Sequence, residues 1–173
     1  MNIILKYGLL NINSEKSLFG VTTGMNKKKP LPPTYFLFSI TIMLLMHLVF
    51  PISKFIYFPW NLTGLVPMAI GAFLNLIADD SLKKRKTTVK PFEESTTLIT
   101  SGAFRISRNP MYLGMTLILF GTCILLGSLS PYFVVLIFIF LMDFVFIRAE
   151  EAMLEKRFEN DWIEYKKTVR RWL

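Results

Sequence analysis

The sequence predicts an all-α integral membrane protein with about four transmembrane helices and a cytoplasmic amphipathic helix at its C-terminal end. Hydrophobic residues make up 53% of the 173 residues, yet the formal net charge is +8. The mean hydropathy is +0.46. A soluble chain of this composition would expose large apolar patches to water. Apolar stretches separated by basic loops are typical of membrane proteins.

Four stretches with almost no charge are the predicted spans. A bilayer core needs about 20 helical residues, within a range of about 17–25. The second and third stretches fit that length, and the first and fourth each need a turn from their flanks. A soluble helical bundle is the alternative, but a 20.0-kDa bundle has too little polar surface to cover four all-apolar helices. The predicted spans are residues 34–51, 58–78, 110–129 and 131–148.

The basic residues predict the orientation. All 20 Lys and Arg residues except Lys54 lie before the first span, between the second and third, or after the fourth. Four spans place these regions on one side, which the positive-inside tendency makes cytoplasmic. We therefore expect both termini and any active site at the cytoplasmic face, in the plasma or inner membrane of a bacterium or the endoplasmic reticulum of a eukaryote. Residues 1–29 are expected to be interfacial or flexible, and 30–173 a single domain.

The chain offers little for metal chemistry. Cys123 and His47 are single representatives of their residue types, and both fall inside predicted spans. One cysteine makes no intrachain disulfide and no metal cluster, so packing is its favoured role. An intramembrane imidazole is a functional candidate, but a hydrogen bond to a neighbouring helix is the favoured role for His47. We expect no metal and no nucleic-acid partner.

The C-terminal segment, residues 148–170, is predicted to be an amphipathic helix. Its apolar side chains recur at helical spacing: Ile147, Leu154, Phe158, Trp162, Tyr165 and Val169. Such a helix is typical of a membrane surface. Glu151 falls in the gap of the apolar stripe, where an acid is costly without a partner. We therefore expect Glu151 to face inward, toward a cationic group.

The loop between the second and third spans, residues 81–110, ends in a candidate anion site. Gly102 allows a turn of unusual backbone geometry. Pro110 suits the first helical turn, and Asn109 before it is expected to cap the free amides. Arg105 and Arg108 add two guanidiniums, and such a combination binds a carboxylate or a phosphate. The alternative is that both arginines only contact lipid phosphates.

Small and acidic residues inside the spans also carry predictions. Gly64 and Gly71 of the second span, with Gly114 and Gly121 of the third, predict close helix contacts. Asp143 lies about one turn inside the fourth span. It is expected either to pair with a loop arginine or to border the pocket.

Two motifs flank the tight turn between the third and fourth spans. The first comprises Thr100, Ser101, Gly102, Phe104, Arg108, Asn109, Pro110, Tyr112 and Gly114. The second comprises Arg148, Glu150, Glu151, Leu154, Phe158, Trp162, Tyr165, Val169, Arg171 and Trp172. Together they resemble the isoprenylcysteine carboxyl methyltransferase family and its relatives, the membrane phospholipid N-methyltransferases. The similarity runs from about Lys86 to the C-terminal end.

The resemblance implies methyl transfer from S-adenosylmethionine (SAM) to a lipid or prenylated amphiphile that enters from the bilayer. It places Arg148 and Arg108 at the polar end of the substrate, as catalytic residues. The implied cofactor pocket contains Thr96, Thr97, Leu98, Ile99, Gly102, Phe104, Asn109, Pro110, Met111, Tyr112, Glu150 and Glu151. The amides at the start of the third span suit the carboxylate of SAM, and a glutamate suits its ammonium. An aromatic ring attracts a cation by about 0.5–2 kcal/mol, which suits Phe104 and Tyr112.

The acceptor remains open between two chemistries. An isoprenylcysteine-type carboxylate is the leading interpretation, since it is ionised near neutral pH and needs no general base. A lipid amine is the alternative, and Asn109 looks more like the phospholipid enzymes because the carboxyl methyltransferases usually have histidine there. Two further departures, Glu159 for glycine and Trp162 for tyrosine, are interpreted as structural. Other classes are an NADPH-dependent membrane reductase and a non-catalytic protein that only binds membrane lipids.

Overall fold

The computed structural model describes residues 31–84 and 97–173, and these residues form helices joined by short connections. Residues 1–29, and most of the loop after the second span, lie outside the described parts. A 3₁₀ turn precedes α2 at Trp60–Gly64, another lies at Gly102–Arg105, and a π-helical turn, Asp143–Ile147, joins α4 to α5. The helices are α1 (Pro32–Val49), α2 (Leu65–Lys84), α3 (Pro110–Leu126), α4 (Ser130–Met142) and α5 (Arg148–Thr168).

The all-α membrane fold predicted from the sequence is confirmed. In the described parts of the chain, three helical stretches are long and apolar enough to cross a membrane: Pro32–Val49, Trp60–Lys84 and Ser130–Thr168. The fourth apolar helix, Pro110–Leu126, is shorter at 17 residues. The last stretch is continuous from α4 into α5, so the charged C-terminal helix extends directly from the fourth span.

Proline and glycine set the helix boundaries. Pro32, Pro110 and Pro131 each stand in the first turn of their helix, where the missing N–H of proline costs no hydrogen bond. Gly127 ends α3 with φ 71°, a left-handed conformation that favours glycine. The turn between α3 and α4 is therefore as tight as the sequence predicts.

Helices α2 and α3 meet backbone to backbone. A Cβ atom on Gly121 would collide with the carbonyl of Gly64, and a Cβ on Gly71 would collide with the carbonyl of Gly114. Glycine at all four positions removes that obstacle, which is how small residues let membrane helices approach. The predicted close contact is thereby confirmed.

The apolar core lies between α1, α3 and α4. Met43, Leu119, Cys123, Phe138 and Met142 have less than 3% of their surface exposed, so the packing role predicted for Cys123 is confirmed. His47 lies at the edge of this core, and its Nδ1 is 2.7 Å from the Oγ of Ser128 in the α3–α4 turn. His47 therefore forms a hydrogen bond as expected, but its partner lies in a turn and not in a neighbouring helix.

Helix α5 is broken once. Glu159 has φ 41° and ψ −108°, a backbone conformation that favours glycine. Its side chain is exposed. The glutamate thus stands at a kink where the resembling family carries glycine, which gives this departure a structural meaning.

Candidate functional site

The site lies at the end of the bundle where the loop before α3, the start of α5 and residues 170–172 meet. Backbone bonds fasten the last residues to the loop. The Arg108 N–H donates to the Arg170 carbonyl at 3.0 Å. The Ser107 hydroxyl donates to the Arg171 carbonyl, also at 3.0 Å. The loop before α3 and the last residues of the chain are therefore held side by side.

Asn109 is buried in this junction but does not cap α3, so the predicted capping role is wrong. Its side-chain amide donates to the Arg171 carbonyl at 3.2 Å. Its backbone N–H donates to the Ser107 hydroxyl at 3.1 Å. The asparagine thus ties the loop to the C-terminal residues, and the backbone amides of Arg108 and Asn109 are already used.

Tyr112 and Glu150 connect the first turn of α3 with the first turn of α5. The Tyr112 hydroxyl donates to Oε1 of Glu150 at 2.8 Å, and the tyrosine ring stacks on Phe146. Burial raises the pKa of Glu150 to about 7; the bond from Tyr112 lowers it and the neighbouring Glu151 raises it further. Glu150 is therefore a carboxyl group that changes its protonation near neutral pH.

Glu151 faces inward and is paired, which confirms the prediction for this residue. Only 6% of its surface is exposed. Its Oε2 accepts from Nη2 of Arg171 at 2.6 Å and from Nε at 3.2 Å. Nη2 of Arg108 lies 3.3 Å from the other oxygen, Oε1, as an ion pair without hydrogen-bond geometry. Two guanidiniums therefore share one buried carboxylate.

Asp143 extends this charged network. Its Oδ2 accepts from Nε of Arg148 at 2.9 Å, and its Oδ1 accepts from Nη1 of Arg171 at 3.1 Å. The predicted pairing of Asp143 with an arginine is correct, but the partners come from α5 and the C-terminal residues instead of the loop. The Arg148 guanidinium also lies 4.0 Å from the centre of the Phe144 ring, at the exposed edge of the site.

A small hollow lies between the loop and α5, with a volume of about 60 Å³. It contains five predicted site residues: Thr97, Leu98, Ile99, Phe104 and Arg108. Its remaining lining is Leu82, Leu154, Trp162 and Tyr165. Pockets for whole drug-sized ligands run to about 300–1,000 Å³, so the hollow is too small for a complete cofactor.

Other predicted residues lie around this hollow. Gly102 is exposed with φ 65°, which confirms its unusual turn. Pro110 is buried at the start of α3. Met111 packs against the apolar core and also against a second apolar cluster that includes Leu74 and Leu113. Arg105 is exposed. Thr96 lies outside the described residues.

Sequence reasoning missed three site residues. Trp162 and Tyr165 were assigned to an apolar stripe, yet the Tyr165 hydroxyl donates to the Phe104 carbonyl at 2.6 Å and so fixes the loop on α5. Burial raises the pKa of this hydroxyl to about 12, against the opposite influence of Arg108. The sequence places Arg171 in the second motif but does not predict that it pairs with Glu151. The uncompensated Glu151 on the apolar stripe was the signal for a cation such as Arg171.

The fold and the cluster of polar side chains together define an integral membrane protein with a buried charged network at one end of its helical bundle. The family model described as phospholipid methyltransferase matches residues 60–161. The chain therefore belongs to the phospholipid methyltransferase family, and this membership indicates a membrane methyltransferase. An uncharacterized protein of Haemophilus influenzae is 40% identical over 63 residues, which are 36% of this chain and 100% of that protein. No solved structure matches the chain.

Proposed function

We propose that this protein transfers a methyl group from SAM to an amphiphile that enters the site from the bilayer. The observation that carries the proposal is the contact between Tyr112 and Glu150. It brings together the mouth of α3 and the acidic start of α5, the two regions whose motifs resemble membrane methyltransferases. Family membership supports the reaction class.

The residues at the site fit SAM, which carries a carboxylate, an ammonium and a sulfonium. Glu151 is already shared by two guanidiniums, whereas Glu150 is bonded to a neutral hydroxyl. Glu150 is therefore the carboxylate proposed to hold the ammonium. The rings of Phe104 and Tyr112 are proposed to contact the adenine or the sulfonium, as a cation over an aromatic face is attracted to it. Residues 97–99 are proposed to complete the cofactor wall.

Bound SAM supplies a methyl group already activated by positive sulfur. The chain's own residues then have to hold the acceptor in line with that carbon and exclude water. Two sets of hydrogen bonds suit this task. The Tyr165 hydroxyl holds the loop against α5, and Ser107 and Arg108 hold it against the C-terminal residues. Arg108 and Arg148 are proposed to bind the polar end of the acceptor.

For the acceptor, we propose an isoprenylcysteine-type carboxylate as the first candidate. A carboxylate is ionised at neutral pH, so the site needs cations to bind it and no base to activate it. Arg108, at the hollow, and Arg148, at the exposed edge, provide such cations.

A lipid amine is the second candidate, in which Glu150 would serve as the base for the acceptor instead of holding the ammonium of the cofactor. An ammonium must lose a proton before it acts as a nucleophile, and a base with a pKa near the working pH performs this best. Burial brings the pKa of Glu150 to about 7. The description of the matched family also names a phospholipid enzyme.

The first experiment is calorimetry of the purified protein with S-adenosylhomocysteine (SAH). Binding is expected, and a clean absence of heat would refute the proposed function. A titration with NADPH tests the reductase alternative, which family membership disfavours. Mass shifts on N-acetyl-S-farnesylcysteine and on phosphatidylethanolamine micelles then separate the two acceptors.

Localisation is part of the proposal. The three basic regions predict that the site faces the cytoplasm. Phe58 precedes α2 and Arg105 follows it, and both residues are exposed. Cysteines introduced at these two positions should react with a membrane-impermeant maleimide from opposite sides of the membrane. Labelling of the Arg105 position from outside intact cells would reverse the orientation.

A further inference from the structure

Two buried side chains at the hollow carry hydrogen-bond donors without partners in the described parts of the chain. They are Nε and Nη1 of Arg108 and Nε1 of Trp162. The side chain of Arg108 has 9% of its surface exposed, and Trp162 has 1%. Buried polar groups in folded proteins nearly always have a partner, because leaving a donor unpaired in a low-dielectric interior is costly.

The two side chains are held next to each other. The Arg108 guanidinium lies 5.6 Å from the centre of the Trp162 ring, and both residues line the hollow of about 60 Å³. Its other walls are largely apolar, with Leu98, Ile99 and Leu154 among them. Neither an indole N–H nor a guanidinium N–H can accept a hydrogen bond. The group that satisfies them must therefore be an acceptor.

The charges nearby favour a negative acceptor. Arg108, Arg148 and Arg171 share the carboxylates of Asp143 and Glu151. Glu150 stands apart, because its bond goes to a tyrosine hydroxyl. Asp143 and Glu151 thus leave these three guanidiniums with one more positive charge than their two paired carboxylates carry. This excess favours an anionic group over a neutral one.

We propose that Arg108 and Trp162 form a receptor for one oxyanion, a carboxylate or a phosphate, of a ligand bound at this site. This inference rests on the proposed function, and it names the chemical group of the ligand that Arg108 and Trp162 bind. The receptor has the size of one such group and places it beside Phe104, at the loop–α5 joint. Trp162 is then a ligand-binding residue that donates through its indole N–H. A tyrosine at this position would instead donate through its hydroxyl, which lies at a different point from the indole nitrogen.

The oxyanion has two chemical sources, the amino-acid carboxylate of SAM or the polar end of the amphiphile. Calorimetry with SAH and with 5′-methylthioadenosine separates them, because the second compound lacks the amino-acid part. Trp162→Phe removes the N–H and keeps the ring. Arg108→Lys keeps the charge and removes the fork of donors. Trp60→Phe is the matched control, since Trp60 is 73% exposed at the far end of α2.

A hydrogen bond to a charged group corresponds to a change in affinity of about tenfold or more. If the cofactor supplies the oxyanion, Trp162→Phe and Arg108→Lys lose about tenfold in SAH affinity and keep their affinity for 5′-methylthioadenosine. If the amphiphile supplies it, SAH affinity is unchanged and KM rises by about tenfold for N-acetyl-S-farnesylcysteine or phosphatidylethanolamine. Either result supports the receptor, provided that Trp60→Phe behaves as wild type.

The receptor is refuted if both variants keep wild-type affinity for SAH and wild-type KM for the acceptors, which would mean that only water fills the hollow. Should Trp162→Phe fail to fold, the receptor is tested by the affinities of Arg108→Lys and by a spectroscopic measurement on the wild-type protein. In ¹⁵N-tryptophan-labelled wild type, SAH or the acceptor must then shift an indole N–H resonance. Loss of SAH binding by the wild type itself would refute the proposed function instead, so the two failures are distinguishable.

Discussion

The two ends of the helical bundle use polar groups in different ways. At the far end, His47 bonds to Ser128, the Gly127 carbonyl accepts from the N–H groups of Phe55 and Ile56, and the Leu129 N–H donates to Ile52. These bonds close turns, and none of them involves a carboxylate or a guanidinium. At the site end, guanidiniums and carboxylates are buried together, and donors of Arg108 and Trp162 have no partner in the described chain.

The two kinds of polar contact are expected to serve different purposes: those at the far end stabilise the fold, and those at the site end serve function. Neutral bonds whose donors and acceptors match each other stabilise a turn and need nothing further. A buried charged network is weak evidence for stability, because desolvation of the ions offsets much of their attraction. The site end therefore carries a cost that a ligand is expected to offset. Each of the following variants tests one side of this contrast.

The largest expected effect is at Glu150. Glu150→Gln removes the charge proposed to bind the ammonium of the cofactor, so SAH affinity should fall by about 10- to 100-fold, as for hydrogen bonds to charged groups. Calorimetry measures it. Glu155→Gln is the control, because Glu155 is exposed and bonds to Lys166. Equal affinity in both variants would remove Glu150 from the cofactor site and favour a non-catalytic protein.

Arg171 is next. Arg171→Ala removes the bonds to both Asp143 and Glu151 and leaves Arg108 as the cation beside Glu151. Because the Arg171 side chain is 36% exposed, solvent screening limits the loss of unfolding free energy to about 2 kcal/mol. Thermal unfolding in detergent measures this loss. Arg170→Ala, at an exposed neighbour, should unfold like wild type; the same shift in both would show that the charge network contributes nothing specific.

The third prediction concerns pH. Burial holds the pKa of Glu150 at about 7, and a bound cation requires the ionised form. Below pH 7 the carboxyl must first lose its proton, so SAH affinity should fall by about tenfold per pH unit; above pH 7 it should be constant. Calorimetry from pH 5.5 to 8 tests this. A profile that Glu150→Gln leaves in place would assign the titration to another group.

At the far end the expected effect is smaller and confined to stability. Ser128→Ala removes the partner of His47, which should lower the unfolding free energy by about 1 kcal/mol. Methyl transfer and SAH affinity should be unchanged. A loss of activity without a loss of stability would contradict the division between the two ends.

The smallest effect is expected at Glu159. Its backbone conformation favours glycine, so Glu159→Gly should raise the unfolding free energy by about 0.5–1 kcal/mol. Glu164→Gly, at an exposed helical position of α5, should lower it by about 1 kcal/mol. Thermal unfolding compares the two. Destabilisation by both would show that the kink has no preference for glycine.

Local sequence rules predicted most of the fold. Uncharged length gives the spans and Pro110 begins α3, because these features depend on residues close in sequence. The predicted third span runs to residue 129, whereas α3 already ends at Leu126, before Gly127. Local rules failed at Asn109, whose side chain prefers a carbonyl 62 residues away to its own helix. They also missed Arg171 as a partner of Glu151, because only the folded chain brings residues 170–172 back to the loop.

The inward position of Glu151 was predictable, but its consequence was not. An acid on an apolar stripe signals a cationic partner, and the sequence offers many. The π-helical turn before α5 shifts the helical register by one residue, which a regular wheel does not anticipate. Which glutamate pairs with guanidiniums and which bonds to a tyrosine hydroxyl therefore emerges from the three-dimensional arrangement.

The glycine contacts between α2 and α3 have a consequence for how a lipid reaches the site. The backbones of Gly71 and Gly114, and of Gly64 and Gly121, approach so closely that a Cβ atom at any of these positions would collide with the facing carbonyl. This seam therefore leaves no room for a lipid tail. Under the proposed function, an opening for an acyl or prenyl tail would therefore lie away from the contact between α2 and α3.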